Sequence, residues 1–252
     1  MKRNQIYDMT LTAVFISIIM LMSLIPQLGF VTILPGVSVT LVHIPVLIGI
    51  FLLPRNYAII LGLFFGVGSL IAAWLYGVNP IDLAFRNPLI SIAPRILFAA
   101  AAFYIFKGLK LIENKFKNGV TVIYGLVVLI TIFSVYYGSQ AISGFTGWSF
   151  SIIAPIALLL ITLFLTVYFS FVSKNRNNDI LIPSSFVLGT LAHTILVLTA
   201  IAVVKPSLYG AGADILGIIY SIAVTNGLVE ALVAVLVGTP IIIALNQLQK
   251  NR

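Results

Sequence analysis

The chain has 252 residues, of which 61% are hydrophobic and 8% charged, and its mean hydropathy is +1.17. Such a composition cannot cover a water-facing surface with polar groups, so it excludes a soluble domain and indicates an integral membrane protein. The absence of cysteine excludes disulfides and thiolate chemistry, and the net charge of +8 must be interpreted by the side of the membrane that the cations occupy.

Eight apolar segments are candidate transmembrane helices, since a helix needs about 20 apolar residues to cross the bilayer. In chain order, the predicted spans are 7–26, 40–53, 56–76, 88–107, 119–139, 150–173, 184–204 and 215–246. The second is short, and the last is long enough to tilt or to project from the membrane. The sequence therefore predicts an all-α integral membrane protein with a single domain, residues 1–252.

The first span also resembles a signal peptide, because Met1-Lys-Arg precedes an apolar run. The run is long, however, ends at Pro26, and lacks the small-x-small pattern of a cleavage site. We expect it to be retained as a helix.

The lysines and arginines are distributed unevenly over the predicted topology. With the amino terminus in the cytoplasm, eleven of the fourteen lie inside: Lys2, Arg3, Arg55, Lys107, Lys110, Lys115, Lys117, Lys174, Arg176, Lys250 and Arg252. Arg86, Arg95 and Lys205 lie outside or toward the outer face. Because cytoplasmic loops are enriched in Lys and Arg, this bias predicts an even number of spans and both termini in the cytoplasm.

Four ionisable side chains interrupt the apolar segments, namely His43, Arg95, His193 and Glu230. An arginine or carboxylate within a membrane helix costs about 3 kcal/mol on insertion scales, so such residues usually face a cavity and mark function. Asn226 lies one turn before Glu230 on the same helix face, and Asn87 and Thr40 lie near the outer ends of their spans. All these residues fall in the predicted outer half, which favours a binding pocket open to the outside over a continuous ion pathway.

Each of these residues also has a structural interpretation. His43 and His193 both have threonines nearby in sequence and can serve as hydrogen-bonding groups between helices. Arg95 and Glu230 can neutralise each other as an ion pair without any ligand.

Two short patterns recur in the chain. Thr-Leu-x-His occurs at 40–43 and again at 190–193, on predicted helices that cross the membrane in opposite directions. An inverted repeat would produce this pattern, although coincidence is the simpler explanation. Small-x-x-x-small pairs, Gly62/Gly66 and Ala13/Ser17, allow another helix to approach closely. For the glycines, packing within the helix bundle is the default interpretation.

Motifs for catalysis and nucleotide binding are missing from the sequence. It contains no Gly-x-x-x-x-Gly-Lys-Ser/Thr loop, no His-Glu-x-x-His and no Gly-x-Ser-x-Gly. Two distant histidines make a poor metal site. We therefore predict no catalytic residue, metal or cofactor, and an energy source that comes from a partner or an ion gradient.

Four segments resemble the substrate-binding S components of energy-coupling-factor vitamin transporters. They are VSVTLVHIPVLIGIFLLPRNYAIILGLFFGVGSLI (37–71), FRNPLISIAPRIL (85–97), LGTLAHTILVL (188–198) and VTNGLVEALVAVLVGTPIIIAL (224–245). The resemblance implies a six-helix subunit in a prokaryotic plasma membrane that captures a water-soluble vitamin from outside. Such a subunit works with a membrane coupling subunit and two cytoplasmic ATPases, and reorients in the membrane to release its ligand inside.

Two features are interpreted through this resemblance. Family members dock on the coupling subunit through an Ala-x-x-x-Ala face of the first helix, and Ala13-x-x-x-Ser17 stands in that place. Eight predicted spans exceed the family's six, so residues 118–175 are predicted to be a transmembrane hairpin inserted into the six-helix core.

The His-Ile-Pro and Asn-Pro-Leu-Ile-Ser…Pro-Arg segments look most like the pantothenate-type subfamily. An anionic ligand with a carboxylate and hydroxyls would suit Arg95, with hydrogen bonds from neighbouring polar groups. The predicted binding residues are Thr40, His43, Asn87, Arg95, His193, Asn226 and Glu230.

A different class of function remains open. In a proton- or ion-coupled secondary transporter of a small polar solute, Glu230 and the two histidines would carry the coupling protons. A membrane enzyme that acts on lipid has little support, since no catalytic constellation is visible.

Overall fold

The computed structural model describes residues 5–34, 37–174, 180–209 and 215–250. In chain order its elements are α1 (Gln5–Leu24), α2 (Pro26–Gly29), β1 (Phe30–Leu34), β2 (Val37–Thr40), α3 (His43–Leu52), α4 (Arg55–Tyr76), α5 (Pro80–Ala84), α6 (Pro88–Ser91), α7 (Ala93–Lys115), α8 (Gly119–Thr146), α9 (Phe150–Lys174), α10 (Leu181–Val204), a 3₁₀ turn (Pro206–Tyr209) and α11 (Ile215–Lys250). Within the described ranges, seven helical stretches are long and apolar enough to cross a membrane, with α6 and α7 forming one of them. The protein is an all-α integral membrane protein, as predicted.

The predicted second span, 40–53, requires correction. Its helix, α3, has ten residues and is therefore about 15 Å long, half of the roughly 30 Å that a bilayer core requires. The residue before Pro54 is extended, because a proline disfavours helical conformation in the residue preceding it, and α3 ends there.

A β-hairpin takes up the chain before α3. Strands β1 and β2 are antiparallel, with Phe30 opposite Thr40 and Val31 opposite Val39. Valine, threonine and isoleucine dominate both strands, and these β-branched residues suit a pleated strand. No predicted span covers residues 27–39, so the sequence does not predict these strands; only Thr40 of β2 falls within the predicted second span.

The connection between α4 and α7 is built from two short capped helices. The Asn79 side chain accepts the Asp82 amide at 2.8 Å and caps α5, while the Asn87 side chain accepts the Leu89 amide at 3.0 Å and caps α6. Each cap is followed by a proline at the first helical position, where the missing N–H costs little.

Helix α10 lies at the centre of the bundle and packs against α3, α7, α8 and α11. The pair α8 and α9, which occupies the predicted hairpin 118–175, lies at the periphery, with α8 against α7 and α11. In the most apolar stretch of α9, 17% of the residues are buried, against 44% in α10. The polar groups carried by α10 are therefore interior, whereas most of α9 faces lipid.

Helices α4 and α7 approach each other closely at the Gly62/Gly66 pair. A β-carbon added at Gly62 would lie 2.5 Å from the Arg95 carbonyl oxygen, and one at Gly66 would lie 2.6 Å from the Ile92 α-carbon. The two glycines thus serve contact within the bundle.

Replacing Gly62 or Gly66 with alanine should destabilise the protein by about 1–3 kcal/mol, because the added methyl group overpacks a backbone contact. The matched control is Gly108→Ala in α7, where an added β-carbon meets nothing within 4 Å. That change should leave stability equal or raise it by up to about 1 kcal/mol through helix propensity. Unfolding of the three variants in one detergent measures the difference, and equal stability of all three would contradict the close contact.

Candidate ligand-binding site

The structure brings four of the predicted residues to one place in the bundle interior. His43 is the first residue of α3, Arg95 lies in the first turn of α7, His193 is midway along α10, and Glu230 lies on α11. Their exposed fractions are 0%, 5%, 4% and 5%, respectively. Residues far apart in sequence thus form one buried polar cluster.

The two histidines stack face to face. Their ring centroids are 5.5 Å apart and their planes differ by 9°. Phe98 meets the His193 ring edge-on at 4.9 Å, and Phe65 lies 5.3 Å from it. Aromatic rings in α4 and α7 therefore fix the orientation of the pair.

The ring nitrogens of the pair differ in their hydrogen bonding. His43 Nε2 is hydrogen-bonded to the Thr190 hydroxyl at 3.1 Å. This nitrogen therefore makes the hydrogen bond between helices that the structural interpretation expects. His43 also interacts with the Thr40 backbone, whereas both ring nitrogens of His193 are buried without a hydrogen-bond partner among the described residues. Buried polar atoms in native proteins are nearly always paired, so two such atoms on one ring need an explanation.

Arg95 is held by a backbone carbonyl of the preceding helix, α6, and by aromatic faces. Its Nη1 donates to the Ile90 carbonyl at 2.6 Å, and its guanidinium carbon lies 4.8 Å above Phe85 and 5.5 Å above Phe65. Cation–π contacts of this kind stabilise a desolvated charge. Arg95 Nε is buried without a partner.

The suggested ion pair between Arg95 and Glu230 is not formed. Glu230 Oε1 instead accepts the Thr40 backbone amide at 2.8 Å, and Oε2 lies 3.3 Å from the Thr194 hydroxyl, whose one proton is shared with the Thr190 carbonyl at 3.2 Å. Both carboxylate oxygens thus bind donors of the chain itself, one of them on the hairpin. Arg95 and Glu230 are close enough to interact electrostatically, but each makes its hydrogen bonds elsewhere.

The two predicted asparagines differ in their roles. The Asn87 side-chain oxygen caps α6 and is thereby committed to the backbone. Asn226 is half-buried on α11, one turn before Glu230.

The sequence analysis missed the aromatic walls. Phe65, Phe85 and Phe98 hold the histidine pair and the guanidinium, yet the chain contains 17 phenylalanines and no local signal separates these three from the rest. The second Thr-Leu-x-His segment does carry a signal, since its Thr190 bonds the histidine of the first. The two Thr-Leu-x-His segments do not make equivalent contacts. The Thr190 hydroxyl bonds His43, whereas the Thr40 backbone amide bonds Glu230 rather than His193.

A groove of about 480 Å³ lies away from this cluster, between α1, α3 and α11. Its lining is apolar and includes Leu11, Ile18, Ile48 and Val237. It offers no chemistry for a polar solute, so the polar cluster is the better candidate for the ligand site.

Ala13 and Ser17 lie on the exposed side of α1. The Ser17 hydroxyl donates to the Ala13 carbonyl at 3.0 Å, so its polarity is satisfied within the helix. The pair therefore presents a small surface without an unmet hydrogen-bonding group to the membrane.

Comparison with protein families finds no family model that matches this chain. Comparison with known proteins finds similarity to the pantothenate transporter PanT of Leuconostoc mesenteroides subsp. mesenteroides, with 32% identity over 100 residues. The match covers 38% of this chain and 49% of PanT, so it spans about half the length of the relative.

Replacing Thr190 with valine should destabilise the protein by about 1–3 kcal/mol, because it leaves His43 Nε2 buried without its partner. Thr131→Val is the control, since the Thr131 hydroxyl bonds only the Val127 carbonyl of its own helix. Detergent unfolding of both variants measures the effect. A Thr190 variant as stable as the Thr131 variant would show that the bond between His43 and Thr190 contributes nothing.

Proposed function

We propose that this chain is the substrate-binding subunit of an importer for a small hydroxylated carboxylate, with pantothenate as the best candidate. The observation that carries the proposal is the buried cluster of His43, Arg95 and His193, in which Arg95 Nε and both ring nitrogens of His193 have no hydrogen-bond partner among the described residues. The similarity to a pantothenate transporter supports a role in transport and suggests the ligand.

The cluster is better suited to a ligand than to stability alone. An unmade hydrogen bond of a buried polar group costs about 1–3 kcal/mol, so a purely structural cluster would be expected to satisfy its own members. Here Glu230 is fully bonded while His193 and Arg95 are not. A bound solute that supplies the missing partners removes this cost.

The chemistry of the free atoms favours an anion with additional polar groups. Arg95 Nε can donate only, and a guanidinium is well matched to a carboxylate. The imidazoles either donate or accept, according to tautomer, and so suit hydroxyl and amide groups. Pantothenate carries a carboxylate, an amide and hydroxyls. Asn226, Asn87 and Thr40 are the further proposed contacts.

The proposed mechanism follows the S components that the sequence resembles. The chain binds its solute from outside and reorients in the prokaryotic plasma membrane. Both termini lie in the cytoplasm in this proposal, which requires the β-hairpin and α3 together to make the second crossing and so keep the number of crossings even. Hydrolysis of ATP belongs to two cytoplasmic ATPases, joined through a membrane coupling subunit. The exposed pair Ala13 and Ser17 is the proposed docking face, and residues 118–175 are the proposed addition to the six-helix core.

The competing function is a secondary transporter driven by protons. It is favoured by the stacked histidines beside a buried carboxylate, since ionisable chains in membranes also form proton relays. A proton ionophore that abolishes uptake while ATP is held constant would support this alternative and contradict the importer.

Replacing Arg95 with alanine should weaken pantothenate binding to the purified chain by about 10- to 100-fold, the loss expected for a hydrogen-bonded charge. Arg55→Ala is the control, because Arg55 is exposed at the start of α4 and bonds the Tyr104 hydroxyl. Titration calorimetry in detergent, without ATP, measures both affinities.

Arg95→Ala should accumulate in the membrane at a normal level. A variant that binds as tightly as the wild type would refute the role of Arg95, and one that fails to insert would indicate that Arg95 is structural. Mass spectrometry of the small molecule retained by the wild-type protein tests the identity of the solute directly.

Replacing Ala13 with leucine should leave pantothenate affinity within about twofold and prevent co-purification with the coupling subunit and ATPases, because the bulky side chain separates closely packed helices. The matched control is Gly144→Leu on the exposed face of α8, where an added β-carbon meets nothing within 4 Å. Co-purification that survives the Ala13 change would exclude this face as the docking surface.

A further inference from the structure

The β-hairpin presents an open edge to α11. The Leu41 amide donates to the Gly29 carbonyl at 2.8 Å, and neighbouring amides of an extended chain point in opposite directions. The Thr40 amide is therefore directed away from β1. Open strand edges are avoided in apolar surroundings, where no water satisfies their donors.

Glu230 accepts one outward-pointing amide of this edge. Its Oε1 accepts the Thr40 amide at 2.8 Å across 190 residues of sequence, and β2 packs against α11. A hydrogen bond from a backbone amide to a carboxylate is among the strong ones. The second oxygen, Oε2, faces the Thr194 hydroxyl on α10, so the carboxylate joins the hairpin to two helices.

The position of Thr40 controls that of His43. Leu41 and Val42 alone separate β2 from the first residue of α3, and Val42 is fully buried. His43 then stacks on His193 and bonds Thr190, both on α10. Since the link is short and packed, an error in the docking of β2 is transmitted directly to the imidazole.

We propose that Glu230 is a positioning residue, which docks the open edge of the β-hairpin on α11 and thereby holds His43 against His193 for the ligand. Both of its oxygens lie within hydrogen-bond distance of donors of the chain, so this role requires no contact with the solute. This inference rests on the proposed function for the role of His43, but the docking of the hairpin does not depend on any ligand.

Substitutions at Glu230 distinguish the effect of its side-chain length from the effect of its charge. Glutamine keeps the length and an acceptor oxygen for the Thr40 amide, and its amide nitrogen can donate to the Thr194 hydroxyl. Aspartate keeps the charge but withdraws the carboxylate by one methylene. If Glu230 positions the hairpin, Glu230→Gln should resemble the wild type, whereas Glu230→Asp and Glu230→Ala should be impaired. If Glu230 binds the solute through its charge, Glu230→Gln should be impaired most.

The first measurement is hydrogen exchange in the ligand-free protein, followed in a peptide that covers residues 29–42. Exchange should accelerate about tenfold or more in Glu230→Asp and Glu230→Ala, as expected for the loss of a hydrogen bond to a charged group, and by no more than about threefold in Glu230→Gln, which keeps a neutral acceptor in place. Thr239→Val, a buried substitution on the same helix, is the control and should leave this peptide unchanged. Peptides from α4 and α7 report whether each variant is folded.

The second measurement is the affinity for pantothenate. Affinity should fall about tenfold or more in Glu230→Asp and remain within about threefold of the wild type in Glu230→Gln. Glutamine and alanine variants that lose affinity with no change in hairpin exchange would overturn the proposal and make Glu230 a ligand contact. Unchanged exchange in Glu230→Asp would also overturn it. A wild-type protein that does not bind pantothenate would refute the proposed function, while the exchange data would still decide the docking.

Discussion

The structure depends on one constraint, which is that backbone polar groups in hydrocarbon must find their partners within the protein. Helices satisfy it locally, and most of the described chain is helical. The exception is the β-hairpin before α3, whose outer edge cannot be satisfied by its own strands. A carboxylate on α11 accepts the Thr40 amide there. A carboxylate, which is costly to bury in a membrane, thus stabilises the non-helical segment of the described backbone.

The requirement for hydrogen-bond partners also divides the buried polar residues into two groups. The Glu230 carboxylate is satisfied by the Thr40 backbone amide and the Thr194 hydroxyl, so it needs no external partner. His43, Arg95 and His193 are held by stacking, by one hydrogen bond to Thr190 and by one to a helix-end carbonyl, yet Arg95 and His193 retain nitrogens without partners in the described part of the chain. Rigid placement by aromatic rings together with unmet hydrogen-bonding capacity is the arrangement expected of a preorganised binding site.

The periphery of the bundle is apolar and largely exposed to lipid. Helices α8 and α9 add a pair that is largely exposed to lipid, and the small face of α1 and the apolar groove beside it carry no chemistry for a polar solute. The close contact between α4 and α7 at Gly62 and Gly66, by contrast, supports the polar cluster, because it brings Phe65 and Arg95 into contact.

The sequence by itself determined the membrane class, seven of the eight predicted spans and the four ionisable side chains that lie buried among them, because apolar length and the cost of buried charge are local properties. It did not determine that residues 30–34 and 37–40 form paired strands, since an apolar strand and an apolar helix have similar hydropathy. It also left open whether Arg95 pairs with Glu230. Only the tertiary structure decided that Glu230 bonds Thr40 and that His43 stacks on His193. These contacts join residues 190 and 150 positions apart, and their partners are chosen by how helices pack rather than by any local pattern.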